Sequence, residues 1–408
     1  MPCKVIIAGA GPAGLIAAIT AAGNGHQVTV LETLPSAGRK LLASGAGKCN
    51  FTNMLDAETM AQRFAPEQRR FIRPALLGFP PEAVRDFFKK RGVKCKLIDD
   101  FYCFPASEKA ADILNVLIDE AVGLGVKIIC SCGVDKLTLN EGKITHVTTS
   151  QGIYDCDYFI AAAGGPGFPA LGGRGSLDKI LAGCGVEFVN RTPALCGIKS
   201  QDQWVTGLAG IVLDQVILTL DKNNFSCGTL LFTGDGISGP AALDLSGRVA
   251  KILQTQDHAT LKVNFHPDYS AEDWLDLFTC ARHENGKKTI RKLIANILPQ
   301  ALSNALTAAV GVEDVTAANM SRSKSDALIR ILTDCPFTAV RTESWEKSMA
   351  STGGAARTRI NAKTLQSRDI TNLYFAGEFI DVDGPCGGYN IQWALSSGRL
   401  AGMLSGNH

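Results

Sequence analysis

The chain has 408 residues, a hydrophobic share of 46%, a charged share of 20% and a formal net charge of +2. That length predicts two or three domains with an ample buried core, and the near-neutral charge argues against nucleic acid or an anionic membrane as an electrostatic partner, local basic patches aside. The 13 cysteines include no Cys-x-x-Cys pair, which excludes an evident zinc or dithiol motif and suits free thiols in a reducing compartment.

In chain order, Lys4–Ala8 reads as a buried parallel strand, 13–23 as the helix after it, and Gln27–Leu31 as the second strand of a βαβ unit. Because the chain opens on this apolar strand, no signal peptide fits before it. No apolar run reaches the ~18–20 residues of a membrane span, so a cytoplasmic protein is expected. Residues 36–53 read as a Gly-rich loop with little periodicity, too long for a mere connection. The stretches 81–91 and 110–124 read as helices, 126–130 as a strand, 134–139 and 143–149 as a hairpin around Asn140-Glu141-Gly142, and 157–162 as another buried strand. From about 190 to 266 the runs 212–220, 229–232 and 260–265 predict a small β-barrel or sandwich. At least three amphipathic helical stretches follow between 271 and 334, and 341–350 reads as a bridge. Residues 371–408 then resume the opening pattern, with a strand over 372–376, a Gly-rich turn and a helix from about 388. The expected organisation is an α/β domain in two segments, 1–188 and 351–408. Between them lies an insert with a β-rich part (189–268), a helical part (269–334) and a return (335–350).

The first motif is Gly9-Ala10-Gly11-Pro12-Ala13-Gly14, with Glu32 closing the second strand. The first glycine permits a tight turn, the second lets backbone approach a pyrophosphate, and the third lets helix and strand pack closely. The helix N-terminus supplies N–H groups and a positive dipole. An acid at the end of the second strand grips ribose hydroxyls, and its sign disfavours a 2′-phosphate. A bare GxGxxG is weak, but here strand, helix and acid all fall in place. The excursion over 38–50 is suited to wrapping an extended cofactor. Arg39 and Lys40 can meet phosphate charge, while Ser44, Gly45 and their neighbours offer backbone N–H groups; this favours FAD over a nicotinamide cofactor. Ala163-Gly164 after a strand lets the chain pass close to a dinucleotide, and Val134 is taken as a further cofactor contact. The strand over 372–376 delivers Gly377-Glu378 to the carboxyl edge of the sheet. A second helix then starts near Gly388, where N–H groups of Tyr389, Asn390 and Ile391 suit the anionic edge of a reduced flavin.

Three strings carry a resemblance over the whole chain: Gly-Arg-Lys-x-x-x-Ser-Gly-x-Gly-Lys-Cys-Asn-Phe-Thr-Asn (38–53), Phe232-Thr233 with Gly236-Ile237-Ser238-Gly239-Pro240, and Gly377-Glu378 with Asp383-Gly384 and 387–392. The chain resembles the flavoprotein family labelled aminoacetone oxidase-like, whose members include bile-acid enone reductases and a ribosomal RNA dihydrouridine synthase. The resemblance implies a glutathione-reductase-like FAD domain interrupted by a β-barrel part and a helical part. It also implies a departure: where members commonly carry His after the Phe-Thr pair, this chain has Gly234 and then Asp235, so no role resting on that histidine is carried over.

Asn50, Tyr389 and Asp235 are the candidate catalytic groups: Asn50 as a flavin-edge or substrate partner, Tyr389 as a flavin contact or proton donor, Asp235 as a substrate contact. Cys49 reads first as a packed thiol, and Cys386 lies where a helix dipole lowers a thiol's pKa. Asp383 reads as orienting its turn. The histidines at 26, 146, 258, 266, 283 and 408 show no metal-ligand spacing, and no metal is expected. Only one dinucleotide fingerprint is complete, so NADH or NADPH would dock transiently as electron donor. The expected activity is FAD-dependent exchange of hydride between flavin N5 and a small-molecule substrate held between FAD and insert. The leading class, reduction of a conjugated C=C of enone or uracil type, is what the resemblance implies. Oxidation of an amine or aminoketone by O2, and an RNA- or protein-binding flavoprotein without turnover, stand as alternatives. Lys287, Lys288, Arg291 and Lys292 keep rRNA open as a partner. The oligomeric state is left open.

Overall fold

The computed structural model describes residues 2–405, so His408 lies outside the described residues. The chain forms two compact units, one from residues 1–192 and 349–408 and one from 193–348.

The first segment runs β1 (Lys4–Ala8), α1 (Pro12–Gly23), β2 (Gln27–Leu31), α2 (Arg39–Ala43), β3 (Thr52–Asn53), α3 (Ala57–Gln62), α4 (Pro66–Gly78), α5 (Pro81–Lys90), β4 (Cys95–Ile98) and β5 (Tyr102–Pro105). It continues through α6 (Ala110–Gly123), β6 (Lys127–Ile129), β7 (Val134–Asn140), β8 (Lys143–Thr149), β9 (Gly152–Asp155), β10 (Tyr158–Ala161), α7 (Ser176–Gly183) and β11 (Phe188–Ala194). The second unit holds β12 (Ile198–Ser200), β13 (Val212–Asp221), β14 (Asn224–Thr233), β15 (Gly236–Ser238), α8 (Pro240–Ile252), β16 (Ala259–Asn264), α9 (Ala271–Glu284), α10 (Ile290–Ile294), α11 (Gln300–Val310), α12 (Arg322–Asp334) and β17 (Cys335–Thr342). The chain then returns with β18 (Ala350–Ala355), β19 (Leu373–Phe375) and α13 (Tyr389–Gly402).

A five-stranded sheet in the order β19-β10-β1-β2-β6 organises the first unit, and its strand pairs are all parallel. Apolar Val5, Ile6 and Ile7 are all buried, as befits a central strand covered on both faces. The sheet is completed from the far end of the chain, where Leu373–Phe375 pairs with Phe159–Ala161. Two helices from opposite ends of the sequence lock this arrangement. A Cβ on Gly398 of α13 would lie 2.2 Å from the Ala13 carbonyl oxygen of α1, and one on Gly402 would lie 2.4 Å from that of Ala17. The same four-residue step on both helices makes them run in the same direction at near backbone contact.

Side sheets flank this core. β7-β8-β9 is an antiparallel meander, entered by the expected hairpin, with Glu141 and Gly142 both at positive φ (48° and 74°) as its two-residue turn demands. A second small sheet, β3-β5-β4, carries the end of the Gly-rich excursion.

The second unit contains a closed barrel, β12-β15-β14-β13-β16-β17, with α8 to α12 around a core of their own that includes Trp274, Leu302 and Leu328. Three expectations change here. The excursion 36–53 is not a bare loop: it contains α2, a 3-10 turn over Ser44–Gly47 and β3. The stretch read as a β-rich part with turns between its strands also contains α8, whose apolar residues at 241, 242, 245 and 249 follow helical spacing behind Pro240 at its first turn. The segment read as a bridge from 341 begins inside β17, which closes the barrel against β12 through Ile198↔Thr342. Elements α3, α4, β4, β5 and β9 were not anticipated.

Candidate functional site

The loops after β1, β2 and β10 converge at the carboxyl edge of the parallel sheet, where ligands bind in open α/β folds. Gly9, Glu32, Val134, Ala163 and Gly164, all singled out in the sequence, line one pocket there, joined by Asp178 of α7. Gly9 (φ +108°) has no room for a side chain, since a Cβ would lie 2.5 Å from the Ala162 carbonyl oxygen. At Gly14 a Cβ would meet the Gly9 oxygen at 1.9 Å, whereas at Gly11 and Gly164 it would meet nothing within 4 Å. Two glycines are thus required by packing and two face open space. Glu32 accepts the Ala10 N–H on one carboxylate oxygen (2.8 Å) and the Leu34 N–H on the other (2.9 Å). Its side chain is therefore held across the mouth of the turn. The N-cap of α1 is Gly11, which contributes no side-chain cap, and Pro12 follows it. A helix end without a side-chain cap has orphan N–H groups of the kind that can hold an anion.

The C-terminal segment brings a second such end. α13 starts at Gly388, again without a side-chain cap. At Gly388 (φ +86°) a Cβ would sit 2.8 Å from Thr52 backbone, so the helix start is pressed onto β3. The Thr52 hydroxyl donates to Gln392 Oε1 (2.6 Å), Gln392 Nε2 donates to the Phe79 carbonyl (2.9 Å), and Asn53 Nδ2 donates to the Gly387 carbonyl (3.0 Å). Gln392 is fully buried. Asn390 turns its amide back on the preceding loop, accepting the Gly384 N–H at 2.8 Å and donating to the Gly384 carbonyl at 2.7 Å. Its side chain thus shapes the loop that leads into the helix. Ile391 is half-buried against the core. Tyr389 is buried, with its ring edge-on to Phe64 at 6.0 Å.

Gly377 (φ +66°) sits against Ala13, its N–H donating to Ser397 Oγ (2.9 Å). Beside it, the Glu378 carboxylate pairs with Lys40 Nζ (2.9 Å) and accepts the Ser351 N–H (2.8 Å) and hydroxyl (3.0 Å). Burial pushes the Glu378 carboxyl up, but Lys40, then Arg191 and Ser351, outweigh it and hold it below the usual carboxylate range. Arg191 was not singled out in the sequence. It pairs with Asp178 and donates to Ser351 Oγ (3.2 Å) and to the carbonyls of Glu378 (3.1 Å) and Phe379 (3.3 Å). No short-range signal marks it, because its partners are far away in sequence.

Arg39 is exposed at the start of α2, and the Ser44 hydroxyl donates to the Leu41 carbonyl (2.6 Å). Gly45, Ala46, Gly47 and Cys49 all have positive φ, between 55° and 86°. For Ala46 and Cys49 that conformation costs roughly 1 kcal/mol or more each, a strain characteristic of ligand-facing loops. In the orientation that satisfies its amide, Asn50 donates to the carbonyls of Thr52 (2.7 Å) and Cys103 (3.1 Å), which makes it the clasp of this loop. Cys49 is buried, and burial pushes its thiol up to about 12. Asp383 accepts a hydrogen bond from Gln68 Nε2 (3.0 Å), in keeping with a turn-orienting role. Asp235 lies in the second unit, at the β14–β15 turn, paired with Lys199 and with Arg341 (3.7 Å). Lys199 also pairs with Glu343 (2.8 Å). Chiefly through Lys199, Asp235 is held below the usual carboxylate range, which makes it a poor proton donor. Among the described residues no cluster of three or more His, Cys, Asp or Glu side chains is placed to hold a metal, and no helix is long and apolar enough to cross a membrane.

Residues 3–404 match the model of the HI0933-like protein Rossmann domain family. This chain belongs to that family. It is 30% identical over 399 residues to a ribosomal RNA dihydrouridine synthase of Haemophilus influenzae, covering 96% of both chains. It is 29% identical over 410 residues to a 3-dehydro-bile acid delta(4,6)-reductase of Clostridium scindens, covering 98% of both. Among solved structures it resembles 3-ketosteroid delta1-dehydrogenase from Sterolibacterium denitrificans, with a TM-score of 0.54 at 12% identity over 98% of this chain and 99% of that one. It also resembles E. coli quinol fumarate reductase FrdA, with a TM-score of 0.51 at 16% identity over 98% of this chain and 69% of that one. These likenesses carry the fold alone. The architecture is the Rossmann-type FAD-binding domain with a barrel-containing insert, and the chain is an FAD-dependent oxidoreductase of this HI0933-like family.

Proposed function

We propose that FAD lies along the carboxyl edge of the five-stranded sheet, with its pyrophosphate at the N-terminus of α1 and its flavin end at that of α13. The observation that carries this is the offset between the two uncapped helix starts. Gly398 of α13 lies beside Ala13, the second residue of α1, so α13 begins nine residues earlier. Because α1 starts one residue before Ala13, the two starts are eight residues apart, and at 1.5 Å per residue the N-terminus of α13 stands about 12 Å beyond that of α1. That separation suits the sugar-alcohol chain between a pyrophosphate and a flavin ring.

In this arrangement Glu32 receives the adenosine ribose hydroxyls, and Val134, Ala163 and Gly164 wall the adenosine end. Gly9 to Gly14 present backbone N–H groups to the pyrophosphate, and Arg39 adds positive charge. Lys40, Ser44, Gly45 and Glu378 line the middle. The backbone of 388–391 faces the flavin edge, where the helix dipole favours negative charge. When bound, FAD supplies hydride transfer between its N5 and a carbon of the acceptor. The protein's part is to orient and to exclude water. The strained 45–49 loop and the Gln392–Thr52 bond keep β3 and α13 in register, so the flavin-facing backbone is preformed.

The reaction we favour is NAD(P)H-linked reduction of a conjugated C=C, in an enone or in a uracil ring of rRNA. The activities named for the two relatives support it: one is a bile-acid reductase and one a ribosomal RNA dihydrouridine synthase. The test is to reduce the purified holoprotein with NADH or NADPH without oxygen. Reoxidation is then followed with a 4-en-3-one steroid, uridine-containing rRNA and O2. Selective reoxidation by the enone or the RNA is expected. Fast reoxidation by O2 alone would replace the proposal with an amine or aminoketone oxidase, and purification without FAD would end it.

A further inference from the structure

The small sheet β3-β5-β4 has two faces. Residues alternate along a strand, so Cys103 and Pro105 of β5 turn to one side, where both are buried, and Tyr102 and Phe104 to the other, where both remain half-exposed. The strand register sets Lys96 opposite Phe104 and Ile98 opposite Tyr102 on that second side. Each aromatic abuts one of the two Gly-rich loops assigned above to the flavin end. A Cβ on Gly45 would touch Phe104 Cε1 at 3.4 Å, and one on Gly387 would lie 2.9 Å from Tyr102 Cε1. The glycines thus make room for the rings. The rim beside Phe104 is basic: Lys48 and Lys96 share the single carboxylate of Glu108 at 3.4 and 3.1 Å, which leaves one positive charge in excess.

We propose that this face is the substrate platform: a flat conjugated ring stacks on Tyr102 and Phe104, and an anionic substituent of the same molecule meets Lys48 and Lys96. Exposed aromatic faces beside cationic side chains bind rings that carry negative charge. A nucleotide uracil with its phosphate and a ring enone with a carboxylate tail share that chemistry. The inference deepens the proposed function and depends on it for the placement of the flavin end.

The test uses the FAD-loaded protein and two probes, uridine 5′-monophosphate and a 4-en-3-one steroid carboxylic acid. Binding is read by equilibrium dialysis and by perturbation of the flavin absorption band. Phe104→Ala and Tyr102→Ala are expected to retain FAD and to weaken the bound probe about fivefold or more, the low end of what one stacked ring loses on truncation. Leu97→Ala, on the opposite face, should leave binding unchanged. Lys96→Gln should weaken the charged probes but not uridine or the steroid methyl ester. Which of the two probes binds decides between a nucleotide and a steroid-like source. Equal binding by wild type and Phe104→Ala, or no binding of either probe to wild type, overturns the platform. If Phe104-dependent binding is present but neither ligand reoxidises the reduced holoprotein, the reductase proposal fails and the platform stands.

Discussion

Gly398→Ala probes the junction on which the split domain depends. The added methyl would lie 2.2 Å from the Ala13 carbonyl oxygen and 2.5 Å from Ile16 Cγ2. The first neighbour is backbone of α1 and cannot rotate away. In an unconstrained helix the same change would stabilise by up to about 1 kcal/mol. Overpacking a fitted contact costs about 1–3 kcal/mol, and a backbone neighbour places this site at the upper end, so a net loss of about 1–2 kcal/mol is expected. For a unit of this size that corresponds to a drop in Tm of roughly 2–8 °C. The displacement also moves the start of α13 relative to that of α1, so FAD affinity should fall together with stability. Gly123→Ala is the matched control: it ends α6, and its Cβ would meet nothing within 4 Å. Thermal melts with and without added FAD, and FAD titration of the apoprotein, read both effects. The reasoning is refuted if Gly398→Ala melts at or above wild type, or if the control is destabilised as much.

Glu32→Ala removes the acceptor for two backbone N–H groups and should raise the FAD dissociation constant tenfold or more while the protein remains folded, as checked by flavin titration and circular dichroism. Glu378→Gln should lower the urea midpoint, with a pH signature. The Glu378 carboxyl is held below its ordinary 4.5 in the folded protein, so its contribution is fully present above pH 4.5 and is lost as pH falls through the lowered folded value. The gap between wild type and variant should therefore be constant near neutrality and close only below that point; a gap that closes between pH 5 and 7 would contradict the assignment. With iodoacetamide at about pH 8, Cys95 should alkylate first. It is exposed and its thiol is drawn down by its contact with Cys103 and by Arg85, while buried Cys49 should resist until the protein unfolds. Peptide mass spectrometry orders the two.

The legible parts of the molecule were those where one local physical demand dominates. A central parallel strand needs an apolar core, which marks Val5–Ala8 and Tyr158–Ala161, while Gln27–Leu31, with Gln27 and Thr29 in it, is legible from its place after the first strand and helix of a βαβ unit. The Asn140-Glu141-Gly142 turn was visible because few residues accept two consecutive positive φ angles. What stayed hidden was decided by partners distant in sequence. β4 and β5 are only four residues each, too short for periodicity to show. β17 reads as a connection until β12 and β16 supply its neighbours. Arg191 is one arginine among many until folding brings Asp178, Ser351 and the carbonyls of 378 and 379 around it.

The same contrast explains the candidate site. Glycines announce themselves because a tight approach or a positive φ leaves no alternative, and the pocket residues Gly9 and Gly164 follow from that constraint. Polar side chains carry no such mark. Asn50, Asn390 and Glu378 were singled out for their nearness to glycine motifs, yet each spends its hydrogen bonds on the protein: Asn50 on Thr52 and Cys103, Asn390 on Gly384, Glu378 on Lys40 and Ser351. Their common effect is to hold glycine backbone in place, which suits the proposed site, where peptide N–H groups rather than mobile side chains would meet the cofactor. A cofactor gripped by preformed backbone loses little ordering entropy on binding. Tyr102 and Phe104 border these same loops on the half-exposed face of the small sheet, which is why the proposed discrimination among substrates is assigned to their rings.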